Sequence, residues 1–233
     1  MKKIGIIIFI VALILGVTFA NLFSWGKASA RIFNFSVNFG GIQGSGNKQT
    51  EKRSAADFNA IEVGGIFEVE VVAQKEFSVE VEADDNLLQY IKTEVKGNTL
   101  EISTDKRISP KGPVRIRISA PNIENLDISG VSKVSLTNVK NDSLKVEASG
   151  ASKIKVDGET GNLEVELSGA SRLDAENLKA ENVSVDGSGA SNASVNVSGD
   201  LKADLSGASK VTYTGNPKNL EKSTSGASSV KGK

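Results

Sequence analysis

Through the second half of the chain, apolar and polar residues alternate, and one short phrase interrupts the alternation at regular intervals. Around Gly169 the apolar set is Leu163, Val165 and Leu167 on one side and Leu173 and Ala175 on the other, with Glu164, Glu166, Ser168, Arg172 and Asp174 interleaved. A period of two is the signature of a strand with one buried face. The interrupting phrase reads SGVSK at 129–133, SGASK at 149–153, SGASR at 168–172, SGASN at 188–192, SGASK at 206–210 and SGASS at 225–229. Its glycines, Gly130, Gly150, Gly169, Gly189, Gly207 and Gly226, stand 20, 19, 20, 18 and 19 residues apart. A fixed repeat of that size predicts a solenoid in which each repeat is one coil laid on the last.

Counted from each glycine, positions minus six, minus four, minus two, plus four and plus six are mostly apolar, which predicts strand, bend, strand. Glycine suits the bend because it adopts positive φ without strain. Val131, or alanine in the later copies, is expected to resume the buried set at plus one. The serines at minus one and plus two are expected to bond the backbone or to stack as a hydroxyl ladder. The stretch from minus six to plus six never changes length. The remainder does, from 8 residues (Leu136 to Leu144) down to 6 (Val195 to Leu201). That variable corner carries turn residues: Asp157-Gly158, Gly161-Asn162, Ser198-Gly199-Asp200 and Gly215-Asn216-Pro217. Two constant sides and one elastic corner predict an all-β chain folded as a parallel β-helix. Its coils are of 19–20 residues, with about six regular coils over residues 121–233.

Residues 57–120 read as irregular N-terminal coils of the same domain. Ile61, Val63, Ile66, Val69 and Val71 repeat the template around Gly65, without its serines. Phe77, Val79, Val81 and Ala83 form a strand, and Asp84 or Asp85 is placed to cap a short helix carrying Leu87, Leu88 and Ile91. Val95, the turn at 96–99, Leu100 and Ile102 predict a hairpin; Val114, Ile116 and Ile118 predict a strand stopped by Pro121. Residues 26–56 read as a flexible linker, within which Ile32 to Phe39 alternates enough for one strand. Residues 1–25 read as a membrane anchor or signal segment. From Ile4 to Phe23 only Thr18 and Asn21 are polar, long enough to span a bilayer, with Lys2 and Lys3 before and Trp25 after. An uncleaved anchor is the preferred reading and a signal peptide ending at Ala28-Ser29-Ala30 the alternative; both export the domain.

Charge and composition narrow the chemistry. The chain of 233 residues has 28 Lys+Arg and 28 Asp+Glu, so nothing in its balance favours nucleic acid. It has no Cys and no His, which removes disulfides, thiolate ligands and the commonest general base. Six near-copies of a serine phrase without a histidine read as structure, not as nucleophiles. Two other positions repeat with their sign. Minus three holds Asp127, Glu147, Glu166, Asp186 and Asp204; plus three holds Lys133, Lys153, Arg172 and Lys210. If the coils stack in register, these become an acidic and a basic stripe flanking one bend. A solvated face, a calcium-binding face or a surface for a charged polymer would each use them. No catalytic residue, cofactor or metal ligand is assigned.

Four stretches carry a resemblance: GSGN at 44–47, FNAIEVGGIFEVEV at 58–71, VEADDNLLQYIKTEV at 81–95 and the recurring SGAS. Together they resemble the bacterial head GIN domain family of auto-transporter adhesins. The resemblance covers roughly residues 44–230 and implies a right-handed parallel β-helix in an exported, envelope-attached protein. It implies no catalytic residue. Many relatives look like lipoproteins; without a cysteine, attachment here would fall to the segment from Ile4 to Phe23. The function expected is non-catalytic, a rigid extracytoplasmic surface for adhesion or ligand binding. The alternatives are a carbohydrate-active enzyme of lyase or hydrolase type, and a purely structural or signalling ectodomain. The partners expected are the membrane, an envelope protein or polysaccharide, and end-to-end contact with a second copy, with no nucleic acid.

Overall fold

A computed structural model describes residues 40–233 of the chain. The segment from Ile4 to Phe23, the cleavage alternative at Ala28-Ser29-Ala30 and the strand from Ile32 to Phe39 lie outside the described residues.

Strand forms wherever the alternation runs. Two short strands, β1 (Ile42–Gln43) and β2 (Lys48–Arg53), precede the repeat. β3 (Ala60–Gly65) and β4 (Glu68–Ala73) flank the bend at Gly65 and make a first coil. The irregular part follows: β5 (Ser78–Asp84), one turn of 3-10 helix (Leu88–Tyr90), β6 (Ile91–Lys96), β7 (Thr99–Thr104), β8 (Ile108–Ser109) and β9 (Arg115–Ala120). The serine-bearing coils comprise β10 (Asn125–Gly130), β11 (Lys133–Ala148), β12 (Lys153–Leu167), β13 (Arg172–Gly187), β14 (Asn192–Val197) and β15 (Asp200–Leu205). They end with β16 (Lys210–Gly215), β17 (Asn219–Thr224) and β18 (Ser229–Gly232).

Pairing between coils is parallel and in register. Before the bend, Ile61, Leu126, Val146, Val165, Val185 and Ala203 stand in one column. After it, Val69, Val134, Ile154, Leu173, Ala193 and Val211 stand in another. These residues are buried, and all but Ala203 belong to one continuous core. The result is an all-β solenoid of about five turns, where about six regular coils were expected, because the six serine-bearing bends from Gly130 to Gly226 enclose five turns.

The elastic corner differs from expectation. It is not a loop in most coils: β11, β12 and β13 run straight through it, 16, 15 and 16 residues long. A short third ladder forms there, with Val139, Gly158 and Leu178 in register and Lys140, Glu159 and Lys179 beside them. The length differences are absorbed as register shifts just before this ladder, after Leu136, Lys155 and Ala175. A bulge takes up an extra residue without giving up the flanking pairs.

Antiparallel strands close the N-terminal end. β7 and β9 add parallel rungs over β3 and β4, then β6 pairs antiparallel with β7, and β5 antiparallel with β9. β2 pairs antiparallel with β5. Residues 42–53 therefore belong to the fold, although 26–56 was expected to be a flexible linker. KQTEKR carries no apolar alternation because it is an exposed edge strand. Behind it, Ser45 donates its backbone N–H to Asn86 Oδ1 at 2.8 Å and its hydroxyl to Asp85. Asp84, fully buried, accepts the backbone N–H of Lys111 at 2.9 Å and pairs with Lys48 Nζ at 3.3 Å. The Lys111 N–H holds the Asp84 carboxyl below its usual range, with Lys48 adding to it against the cost of burial. The expected capping role of Asp84 or Asp85 is not seen: the helical turn has Leu87 at its N-cap with no side-chain cap.

Candidate functional site

The bends build the surface. Each of the six bend glycines of the serine phrase has positive φ, from +70° at Gly169 to +91° at Gly130. Each also lies against the glycine of the coil before it: a Cβ on Gly169 would stand 2.5 Å from the Gly150 carbonyl oxygen. The next N–H then bonds back across the coils, as Ala170 does to Gly150 O at 2.8 Å. The plus-one residue points outward, not into the core as expected. Val131 is 58% exposed and Ala151, Ala170, Ala190 and Ala208 are exposed. The plus-two serine points inward instead. Ser132, Ser152, Ser171, Ser191 and Ser209 are buried. Ser171 and Ser209 each donate to the carbonyl of the minus-one serine, Ser168 at 2.9 Å and Ser206 at 2.8 Å. Ser191 donates to Ser209 Oγ at 3.1 Å. Both serine roles expected from the sequence are present, closing the bend and forming a partial ladder.

The two charged stripes are real columns. Asp127, Glu147, Glu166, Asp186 and Asp204 pair in sequence across successive strands. Sequence reasoning began this column too late. Glu62 is the register partner of Asp127, and Glu101 of Glu62. Glu62 could have been found, because it sits three before Gly65 as the others do before their glycines. Lys145 was also missed. It reaches Glu166 at 2.8 Å and Glu147 and Glu164 at 3.3 Å each, which raises its own pKa and holds Glu166 low. At the other end of this cluster burial, then the charge of Glu147, pushes the Asp127 carboxyl up. A groove of about 470 Å³ runs beside the column, bordered by these carboxylates and by Ser149, Ser168, Ser188 and Ser206.

Across the row of exposed alanines stands the basic column. Lys133, Lys153, Arg172, Asn192 and Lys210 are register partners in that order, with Glu68 before Lys133 and Ser229 after Lys210. The two columns do not neutralise each other. Among the described residues, the acidic column's ion pairs go to Lys145 and, from Glu101, to Lys96, and Lys133, Lys153, Arg172 and Lys210 make none. On the opposite flank of the acidic face, Asn162, Asn182, Asp200 and Asn219 form a polar ladder, with Asn182 Nδ2 donating to Asn162 Oδ1 at 3.1 Å and Asn219 Nδ2 to Asp200 Oδ1 at 2.7 Å.

Chemically, this is a surface of repeated, outward-facing groups. Ladder neighbours point the same way and stand side by side, one strand spacing of about 4.8 Å apart. Paired carboxylates that cleave glycosides instead flank the bond they cut. Among the described residues, no group of three or more acidic side chains converges to hold a metal ion.

A family model described as "Putative auto-transporter adhesin, head GIN domain" matches residues 57–217. Several solved structures share the fold. A "putative adhesin" from Bacteroides fragilis is 22% identical, over 83% of this chain and 100% of that one, with a TM-score of 0.68. A "putative lipid binding protein" from Parabacteroides distasonis is 19% identical, over 83% and 100%, with a TM-score of 0.51. A "putative adhesin" from Parabacteroides merdae is 18% identical, over 82% and 98%, with a TM-score of 0.50. At these identities the likeness is one of fold. No curated protein matches the chain.

Proposed function

The chain belongs to the head GIN domain family, and on that premise we propose that its solenoid is a rigid, non-catalytic binding surface displayed outside the cytoplasm. In this reading the segment from Ile4 to Phe23 anchors the protein in the bacterial membrane and the coils wind right-handed, the sense that parallel crossovers favour. The observation that carries it is registry. The minus-three and plus-three side chains repeat over successive coils as unbroken columns, on a backbone whose rungs are tied by main-chain hydrogen bonds. Such a surface meets a repeating partner at many equivalent points without having to move. Side-by-side carboxylates and the absence of histidine support recognition over turnover.

The test uses the full-length protein in detergent, offered to a panel of bacterial and host glycans and to envelope extract, with a reducing-sugar assay on every glycan retained. Retention without new reducing ends supports the proposal. Turnover that disappears in Glu166→Gln overturns it in favour of a carbohydrate-active enzyme, and a surface that retains nothing overturns it outright.

A further inference from the structure

We infer that the basic column is the track for a linear polysaccharide carrying one carboxylate per sugar, lying along the solenoid axis with one sugar to each coil. This rests on the solenoid being a binding surface, and it names which face binds and what chemistry it takes.

Four observations converge. Lys133, Lys153 and Arg172 are direct register partners, so three cations recur at the strand spacing of about 4.8 Å. That interval is close to the length of one sugar in an extended chain. Asn192 and Lys210 continue the row with an amide and a fourth cation. Second, these cations have no ion-pair partner among the described residues. In the acidic column Lys145 already ties Glu147 and Glu166 together, while Asp127, Asp186 and Asp204 make no ion pair among the described residues. Stacked like charges without a counter-charge repel one another, and a polyanion of matching period relieves every step of that repulsion at once. Third, the relief is low. The neighbouring row at the bends is exposed alanine from Ala151 onward, small enough for the apolar face of a pyranose ring to lie close to the backbone. On the other side the plus-five row reads Ser135, Lys155, Asp174 and Ser194, two hydroxyls with a lysine and an aspartate between them. Fourth, no aromatic residue stands in the column or beside it in these coils, so it lacks the stacking platforms that single-stranded nucleic acids use.

The experiment measures binding of the full-length protein in detergent to oligogalacturonates of increasing length. Affinity is expected to climb with length until the oligomer spans the column, then level off, and to fall steeply with added salt. The double variant Lys153→Ala/Arg172→Ala should weaken binding by about tenfold or more. Asp186→Asn/Asp204→Asn, on the other column, should leave binding unchanged or tighten it. All four side chains are exposed, and an unchanged melting temperature confirms that the variants fold. Equal affinity for fully methyl-esterified oligomers, a loss confined to the acidic-column variant, or preference for inorganic polyphosphate of the same length would each overturn the inference. If the glycan panel captures some other sugar while uronates do not bind, the track falls and the binding-surface reading stands. If nothing binds in either experiment, both fall.

Discussion

The bend glycines answer two demands at once, and only one of them is written in the local sequence. Positive φ is legible, because a phrase that turns the chain between two strands needs it. The approach of the previous coil is not: the Gly150 carbonyl that crowds Gly169 is 19 residues away and becomes a neighbour only when the coils stack. Gly97 separates the two demands. It has φ +62° in the β6–β7 turn and nothing within 4 Å of its would-be Cβ. Gly97→Ala is therefore expected to cost only the left-handed backbone penalty, about 1 kcal/mol. Gly169→Ala adds a collision with backbone and is expected to cost about 3 kcal/mol or more. Urea unfolding of the two variants checks this, and equal midpoints would remove the stacking argument. The neighbouring residues carry a second lesson. Hydropathy placed the plus-one alanine inside, and the structure puts it outside, with the plus-two serine inside instead. Counting by twos straight through the bend, from Leu167 past Gly169 to Ser171 and Leu173, gives the inward set correctly. The backbone's parity outranks the preference of a small side chain, and the buried serine is satisfied by the carbonyl of Ser168.

At the level of the strand, what matters is where a coil can change length. The constant run from minus six to plus six was legible because its parity fixes which side chains are buried. The third ladder was hidden, because glycine and asparagine at Gly158, Gly161 and Asn162 read as a turn, yet all three lie inside β12. Glycine is there for closeness: a Cβ on Gly158 would overlap the backbone of Val139. β2 was hidden for the opposite reason, being a polar edge strand with no periodic signal. The same logic predicts two insertions of one residue. Between Val165 and Glu166, an added alanine turns Glu166 inward and Leu167 outward. An unpaired carboxylate buried in this way is expected to cost about 3–5 kcal/mol. Between Ser198 and Gly199, an added serine only lengthens the shortest corner, from 6 residues to the 7 or 8 of its siblings, and is expected to cost about 1 kcal/mol or less. Thermal melts of both variants decide the matter; comparable losses would mean that the corner is as constrained as the sides.

Taken as a whole, residues 40–233 are a stack whose parts touch mainly their neighbours, so stability should vary along it. The two ends differ in construction. At the N-terminal end, antiparallel β6, β5 and β2 cover the first rungs and the buried Asp84 ties the covering strand down. The β6–β7 hairpin and the strand β5 were legible, but their assembly with β2 into a closure was not, because its polar contacts join Ser45 to Asp85 and Asn86 across about 40 residues. At the other end every residue of β17 is exposed, and Leu220 is 42% exposed. Between them, β12 is paired with β11 on one side and with β13 on the other along most of its length. Amide hydrogen exchange of the intact protein should therefore be slowest in β12 and the adjoining halves of β11 and β13, and fastest in β17 and β18. Lys133, Lys153 and Arg172 open those three central strands, so the predicted rigid zone coincides with the densest part of the basic column. A pattern of exchange uniform from β3 to β18 would mean that the coils unfold as one body, and would separate the column's placement from any advantage of local rigidity. A graded pattern would mean that the surface best able to meet a long, regular partner is also the part of the molecule least able to open.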